Sequence, residues 1–169
     1  MRSLLRLFLL LLSPTALPVH AQVQETDLKA AVIYNFVQFT QWPDKAGTTP
    51  SINICVSPDN ALYDALQKAA ARPGQGQEVA VVPIMNAGIG DCHVVFMGAD
   101  DKRKSAHFQR LLTGPVLGVT DDATVLPGEM TIVMSVEKNR IVFSVNNAKA
   151  VSSGLSISSR LLRLARSIQ

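Results

Sequence analysis

Near-continuous runs of apolar residues, separated by helical segments, constrain the fold of this chain most. Residues 92–97 read CHVVFM and residues 115–120 read PVLGVT, with almost no polar interruption. Strands of this kind usually lie in sheets whose two faces are both covered. The sequence therefore predicts an α/β domain with a mostly parallel central sheet.

In the rest of the sequence, segments whose apolar residues recur with helical spacing alternate with segments that have the spacing of a strand. The spacing of apolar residues over 25–41 predicts a helix, which Trp42-Pro43 ends because proline cannot continue it. Lys138-Asn139 separates two runs that alternate by twos, and this predicts an antiparallel hairpin. The other predicted helices span 58–71, 100–112 and 158–168, with a short one after Asn146 or Asn147, and the other predicted strands span 51–57 and 78–84. In the last helix the apolar positions are Leu161, Leu162, Leu164 and Ile168. We expect a single-domain sandwich, flanked by helices, with the antiparallel hairpin in its C-terminal part.

The N-terminus has the pattern of a secretory signal. Arg2 and Arg6 precede a short apolar run, and the segment ends in modest or small side chains at Val19-His20-Ala21. A charged start, an apolar stretch and an Ala-terminated exit are typical of signal peptides. The run is shorter than the roughly 20 apolar residues of a membrane-spanning helix. We expect cleavage after Ala21, which leaves residues 22–169 as one exported domain; the alternative is a retained membrane anchor.

The charge of the chain disfavours nucleic-acid binding once this segment is set aside. The chain has 16 basic and 13 acidic side chains and a formal net charge of +3. Without Arg2 and Arg6 the two signs nearly balance. The rest of the sequence has no stripe of Lys and Arg interleaved with aromatic residues, which is the pattern of a nucleic-acid interface.

Two cysteines are the strongest chemical feature of the sequence. Cys55 lies in the first predicted strand and Cys92 opens a later one. An exported protein meets an oxidising compartment, where two thiols without a third favour a disulfide. Loop-closure entropy gives such a bond a stabilisation of about 4 kcal/mol. Two separate buried thiols and a catalytic Cys92-His93 dyad are the alternatives, although neighbours along a strand point to opposite faces.

The remaining candidate groups do not assemble into an active site. Asp121-Asp122 could form a carboxylate pair, but such residues directly after a strand more often make a turn. His93 and His107 have no partner at a recognisable spacing, and no pair of residues has the spacing of a zinc site. We therefore predict a protein that is not an enzyme and that holds no metal and no cofactor.

Four segments in order along the chain resemble the YfiR-like family of small periplasmic proteins. They are LKAAVIYNFVQFTQWP (28–43), INICVSPDN (52–60), DCHVVFMG (91–98) and VFSVNNAKAVSSGLSISSRLLRLA (142–165). In that family a helix ending in aromatic-x-x-Trp-Pro opens the domain. The cysteines of the second and third segments are paired, and a helix of the last pattern closes the domain.

The resemblance implies a non-catalytic repressor that often forms a homodimer. Such a repressor binds the periplasmic sensor domain of an inner-membrane diguanylate cyclase, and so lowers cyclic-di-GMP and biofilm formation. An outer-membrane lipoprotein can sequester it, and loss of its disulfide weakens it. The resemblance implies that Cys55 and Cys92 form a stabilising disulfide, and that this disulfide can also act as a redox sensor. The second, C-terminal disulfide of the family has no counterpart, because no cysteine follows Cys92.

A partner-binding surface is expected on the exposed face of the last predicted helix, at Arg160 and Arg163. The alternative is that the arginines at 160, 163 and 166 form an ordinary solvated face. Two alternative functions are also open. One is a periplasmic small-molecule-binding accessory module for a sensor kinase or an uptake receptor, which the resemblance implies because related domains occur beside such proteins. The other is a thiol-active enzyme using Cys92.

Overall fold

Helices and strands alternate along the computed structural model, which describes residues 19–43, 51–71 and 78–169. The helices are α1 (Val19–Gln38), α2 (Leu62–Ala70), α3 (Ser105–Leu111), α4 (Asn147–Ser152) and α5 (Ser159–Leu162). The strands are β1 (Thr40–Gln41), β2 (Ile52–Val56), β3 (Val79–Pro83), β4 (Val94–Met97), β5 (Leu117–Thr120), β6 (Ile132–Glu137), β7 (Arg140–Val145), β8 (Ser156–Ile157) and β9 (Ser167–Ile168). Two short 3-10 helices span Ile84–Asn86 and Ala99–Lys104.

Seven of these strands form one mostly parallel sheet in the order β3-β2-β4-β5-β6-β7-β9. The first five strands in this order, β3, β2, β4, β5 and β6, run parallel. β6 and β7 form an antiparallel hairpin, and β9 runs parallel to β7. β1 and β8 form a separate two-stranded antiparallel sheet. The predicted single α/β domain, with a mostly parallel sheet and a C-terminal antiparallel hairpin, is confirmed.

Alternate residues of the central strands face two hydrophobic clusters. On one face of the sheet, Ile54 and Phe96 pack in a cluster with residues of α1, α2 and the C-terminal segment. On the other face, Val95 and Met97 pack in a cluster with Phe108 of α3. Burial on both faces explains why these strands read as near-continuous apolar runs.

The hairpin between β6 and β7 turns at Lys138 and Asn139. Both residues have positive φ, 49° and 61° respectively. Two-residue hairpin turns of type I′ require positive φ at both central positions, a conformation that Asn tolerates well. The register pairs Glu137 with Arg140, so the turn lies where the sequence predicts it.

Two predicted helix boundaries are wrong, one because the chain enters a strand pair and the other because local hydrogen bonds form a turn. The first helix ends at Gln38 rather than at residue 41, because Thr40 pairs with Ile157 in the small sheet. The second begins at Leu62 rather than at residue 58. There the backbone N–H of Asn60 donates to the carbonyl of Ser57, and the Asn60 side chain accepts from the N–H of Leu62.

The helix predicted over 100–112 is divided into a 3-10 helix and α3. Asp101 is buried, and its Oδ2 accepts a hydrogen bond from the N–H of Gly98 at 3.2 Å. This side-chain contact fixes the tighter first turns, which run over Ala99–Lys104.

The helix predicted over 158–168 is wrong in its second half. The helical turn ends at Leu162, and the backbone N–H of Arg166 donates to the carbonyl of Phe143 at 2.8 Å. The chain then pairs with β7 as β9. Leu164 and Ile168, two apolar positions of the predicted helix, are 68% and 52% exposed. Pairing with a distant strand overrides the local helical spacing here.

Two predicted segments lie largely outside the described residues. They are the signal peptide over 1–21, of which only 19–21 are described, with helical backbone, and the loop over 72–77. None of the helices in the described ranges is long and apolar enough to cross a membrane.

Cys55 and Cys92 form a disulfide that ties β2 to the segment leading into β4. Their Cα atoms are 5.7 Å apart, and the two residues are 0% and 4% exposed. Cys92 lies two residues before β4 rather than in it. The backbone N–H of His93 donates to the carbonyl of Asn53 and extends the contact between the two segments. The predicted disulfide is therefore present, and separate thiols are not found.

Replacing both cysteines by alanine is expected to lower the free energy of unfolding by about 4 kcal/mol, because the bond restricts the unfolded chain between residues 55 and 92. Denaturant titration of the wild type and the Cys55→Ala/Cys92→Ala variant measures the difference. Wild type unfolded and refolded under reducing conditions is the matched control and should behave like the variant. Equal unfolding midpoints for the oxidised wild type and the variant would contradict this expectation.

Candidate functional site

The disulfide is buried in the core of the domain, away from solvent. Cys55 and Cys92 pack in the cluster that contains Ile84, Ala87 and Val95. Both cysteines of the chain are in the bond, so the oxidised protein has no free thiol. Reactive cysteines need a thiolate that is accessible and electrostatically stabilised. The arrangement therefore favours a structural disulfide over a surface redox group.

His93 is not placed to activate Cys92. Its Nδ1 accepts a hydrogen bond from the backbone N–H of Asn53 at 3.1 Å. Its ring lies edge-on to Trp42, with 6.2 Å between ring centroids, and the Trp42 indole N–H donates to the His93 carbonyl. The ring thus connects the segment after α1 to the start of β4. A Cys92-His93 dyad is excluded in the oxidised protein by the disulfide itself.

Asp121 and Asp122 each bind a different lysine rather than one another. Asp121 Oδ2 accepts from Lys29 Nζ at 3.0 Å, and Asp122 Oδ2 lies 2.8 Å from Lys102 Nζ. Asp122 Oδ1 also accepts from the N–H and the hydroxyl of Thr124, at 2.8 and 2.7 Å. This is the turn that an Asp after a strand predicts.

These contacts set the pKa values of two groups. The Lys102 ammonium, followed by the hydroxyl and N–H of Thr124, lowers the pKa of Asp122 to about 2. Burial alone would lower the pKa of Lys29, but hydrogen bonds to Glu25 and Asp121 outweigh burial and raise it. Lys29 therefore stays charged at neutral pH.

Arg160 and Arg163, the predicted partner-binding residues, are both exposed; Arg160 lies on the short helix α5 and Arg163 directly after it. Ser158 begins that helix by accepting a hydrogen bond from the N–H of Leu161, which is buried. The guanidinium of Arg160 lies over the ring of Phe39, 5.8 Å from its centroid, in a cation–π geometry. The structure thus orients Arg160, while the Arg163 side chain extends into solvent.

Arg166 does not continue the same helix face. It lies beyond α5 and forms a bidentate ion pair with Glu137 at the end of β6, with 2.8 Å between Nη2 and Oε2. The three arginines that are evenly spaced in the sequence therefore do not form one stripe.

The C-terminal segment also exposes apolar side chains that sequence reasoning did not place on the surface. Val151, Leu164 and Ile168 are 64%, 68% and 52% exposed. We use the name C-terminal surface for the exposed side chains of residues 151–169, which include these three residues together with Arg160 and Arg163. Helical spacing could not have identified it, because Leu164 and Ile168 are exposed only since the chain leaves the helix after Leu162.

Asp122→Asn is expected to reduce the loss of stability in acid. The pKa of Asp122 in the folded protein lies below its ordinary value of 3.8. Its ionised form therefore stabilises the fold above about pH 4, and this stabilisation is lost as the pH falls through about 2. Thermal unfolding between about pH 6 and pH 2 should show a shallower decline below about pH 4 in the variant. Asp64→Asn, at an exposed position on α2, should keep the wild-type slope; a wild-type slope in Asp122→Asn would refute the assignment.

A solved structure has a similar fold. It is the crystal structure of a conserved domain protein from Vibrio cholerae O1 biovar El Tor, which matches this chain with a TM-score of 0.52 and 10% sequence identity. The match covers 83% of this chain and 60% of that one. At this identity the likeness concerns the fold alone.

A family of known proteins matches the sequence itself. The sequence model of the YfiR/HmsC-like family, DUF4154, matches residues 26–166. This range begins within α1 and ends one residue before β9, so it includes both cysteines and the other strands of the described sheet. Because the match covers most of the 169 residues, the chain belongs to the YfiR/HmsC-like family.

Proposed function

We propose that this protein is a periplasmic repressor that binds the sensor domain of an inner-membrane diguanylate cyclase. By favouring the inactive arrangement of that domain, it lowers cyclic-di-GMP and biofilm formation. The observation that carries the proposal is the family match over residues 26–166. The family consists of periplasmic regulatory proteins that act by binding rather than by catalysis.

The disulfide supports an exported protein. Disulfides form and persist in oxidising compartments such as the bacterial periplasm. The Cys55–Cys92 bond is buried within the core of the domain, as expected for a bond that serves the fold. Export would follow from the predicted signal peptide, with cleavage after Ala21.

The C-terminal surface has the composition of a protein-binding site. Arginine and large apolar residues are enriched at interfaces, and a few of them usually carry most of the binding energy. The contact with Phe39 already restricts Arg160, which reduces the entropy lost on binding. An acidic, partly apolar patch on the sensor domain would complement Arg160 and Arg163. We also propose that the repressor forms a homodimer and that an outer-membrane lipoprotein sequesters it.

Repression is a shift in a conformational equilibrium of the cyclase. A bound protein can shift that equilibrium only if it binds the inactive arrangement more tightly than the active one. The repressor therefore needs differential affinity for two forms of its partner and no chemistry of its own.

Deleting the gene for this protein is expected to raise cellular cyclic-di-GMP in the source organism, because the cyclase is released. Cyclic-di-GMP is measured in cell extracts of the wild type, the deletion strain and complemented strains. Wild-type protein should restore the low level and Cys55→Ser should do so poorly, since the variant loses the disulfide. An unchanged level in the deletion strain would contradict the proposal.

Arg163→Glu is expected to weaken binding to the periplasmic domain of the cyclase about ten-fold, because it reverses a charge that faces the partner. Surface plasmon resonance with the purified sensor domain measures the affinity. Lys68→Glu makes the same charge change at an exposed position of α2, far along the chain from the C-terminal surface, and should bind like the wild type. Equal losses in the two variants would indicate a general charge effect and contradict the assigned surface.

A further inference from the structure

The loops at the carboxyl ends of β2, β4 and β5 border a cleft of about 650 Å³. The chain adds β3 on one side of β2 and then β4 on the other side. The loops after β2 and β4 therefore diverge. In open α/β sheets, a crevice at such a switch point is where ligands bind, and the volume is typical of small-molecule sites.

Each of the three loops contributes at least one residue to the lining of this switch-point cleft. Asn60 follows β2, Gly98 follows β4 and Asp121 follows β5. A Cβ atom at position 98 would lie 2.9 Å from Asn60 Nδ2 and 3.5 Å from Asp121 Oδ1. Glycine at position 98 thus lets the Asn60 amide approach the backbone at this point without displacement.

Asp121 has an unused acceptor in this region. Its Oδ2 accepts from the ammonium of Lys29, but its Oδ1 is buried and has no hydrogen-bond partner in the described part of the chain. A buried carboxylate oxygen without a donor is unfavourable. A hydrogen-bond donor on a bound ligand, if it reached this oxygen, would satisfy it.

The charges that line the cleft favour a cation. Glu25, Asp100 and Asp121 are acidic, and Lys29 is the one basic residue among the described residues that line the cleft. Lys29 Nζ lies 2.9 Å from Glu25 Oε1 and 3.0 Å from Asp121 Oδ2, so its charge is already neutralised. Asp100 is exposed at the rim. The excess of negative charge attracts cations from solution.

The same lining favours an organic cation over a metal ion. Within residues 19–43, 51–71 and 78–169, no group of three His, Cys, Asp or Glu side chains is placed to hold a metal. Leu28, Leu62 and Val136 also line the cleft and give it apolar surface. An aliphatic chain that carries ammonium groups matches both features.

We propose that the switch-point cleft binds a small aliphatic diamine. One ammonium group lies towards Asp121 and the other towards Asp100, while the methylene groups contact the apolar lining. The cleft shares no residue with the C-terminal surface. The proposal therefore does not rest on the repressor function, and the experiment below tests it alone.

Calorimetric titration of the purified protein with 1,4-diaminobutane at low ionic strength tests the proposal. We expect saturable binding of one molecule per chain. Butane-1,4-diol has the same carbon chain without charge, and butanedioate carries the opposite charge; neither should bind. No saturable binding of the diamine, or equal binding of butanedioate, would overturn the proposal.

Two variants locate the binding in the cleft. Asp100→Lys should weaken diamine binding about ten-fold, whereas Asp64→Lys, the same charge change on α2, should change it less than about two-fold. Ala99→Trp fills the cleft from an exposed lining position, and Ala106→Trp is its matched control on α3. Ala99→Trp should abolish binding. Equal effects of a variant and its control would place the diamine elsewhere and refute the assigned site.

Discussion

The parallel pairing of β2 with β4 is the contact on which the rest of the structure depends. The register places Ile54 beside Val94, residues that are far apart in the sequence. This pairing brings Cys55 close enough to Cys92 for a disulfide. It also leaves β3 on the outer side of β2, so that the loops after β2 and β4 diverge and open a cleft. One non-local pairing thus accounts for both the covalent cross-link and the crevice.

The hydrophobic pattern predicted the central strands well because their side chains are buried on both faces of the sheet. Phe96 and Met97 are buried on opposite faces of one strand, and a near-continuous apolar run reports that directly. The pattern failed where tertiary hydrogen bonds decide the conformation. The segment after Leu162 has helical spacing, but the open edge of β7 offers the N–H of Arg166 an acceptor at Phe143, and the chain extends.

The candidate sites were predictable to very different degrees. The disulfide followed from two thiols and an expected oxidising compartment, which needs no knowledge of the fold. The switch-point cleft could not be predicted, since Asn60, Gly98 and Asp121 meet only through the strand order. The side chains of sequence neighbours can also bind different elements: Asp121 binds Lys29 on α1, while Asp122 binds Lys102 in the 3-10 helix Ala99–Lys104.

Regulation by binding benefits from a surface that is ordered before the partner arrives, since ordering on association reduces affinity. The segment that carries the C-terminal surface is fastened at several points. The N–H of Ser158 donates to the carbonyl of Phe39, and the N–H of Gln169 donates to that of Val145. Gln169 is held by a second hydrogen bond, because its carbonyl accepts from the N–H of Asn147. The short elements β8, α5 and β9 are too small to be stable alone, so the main sheet and α1 supply the order that the proposed binding surface needs.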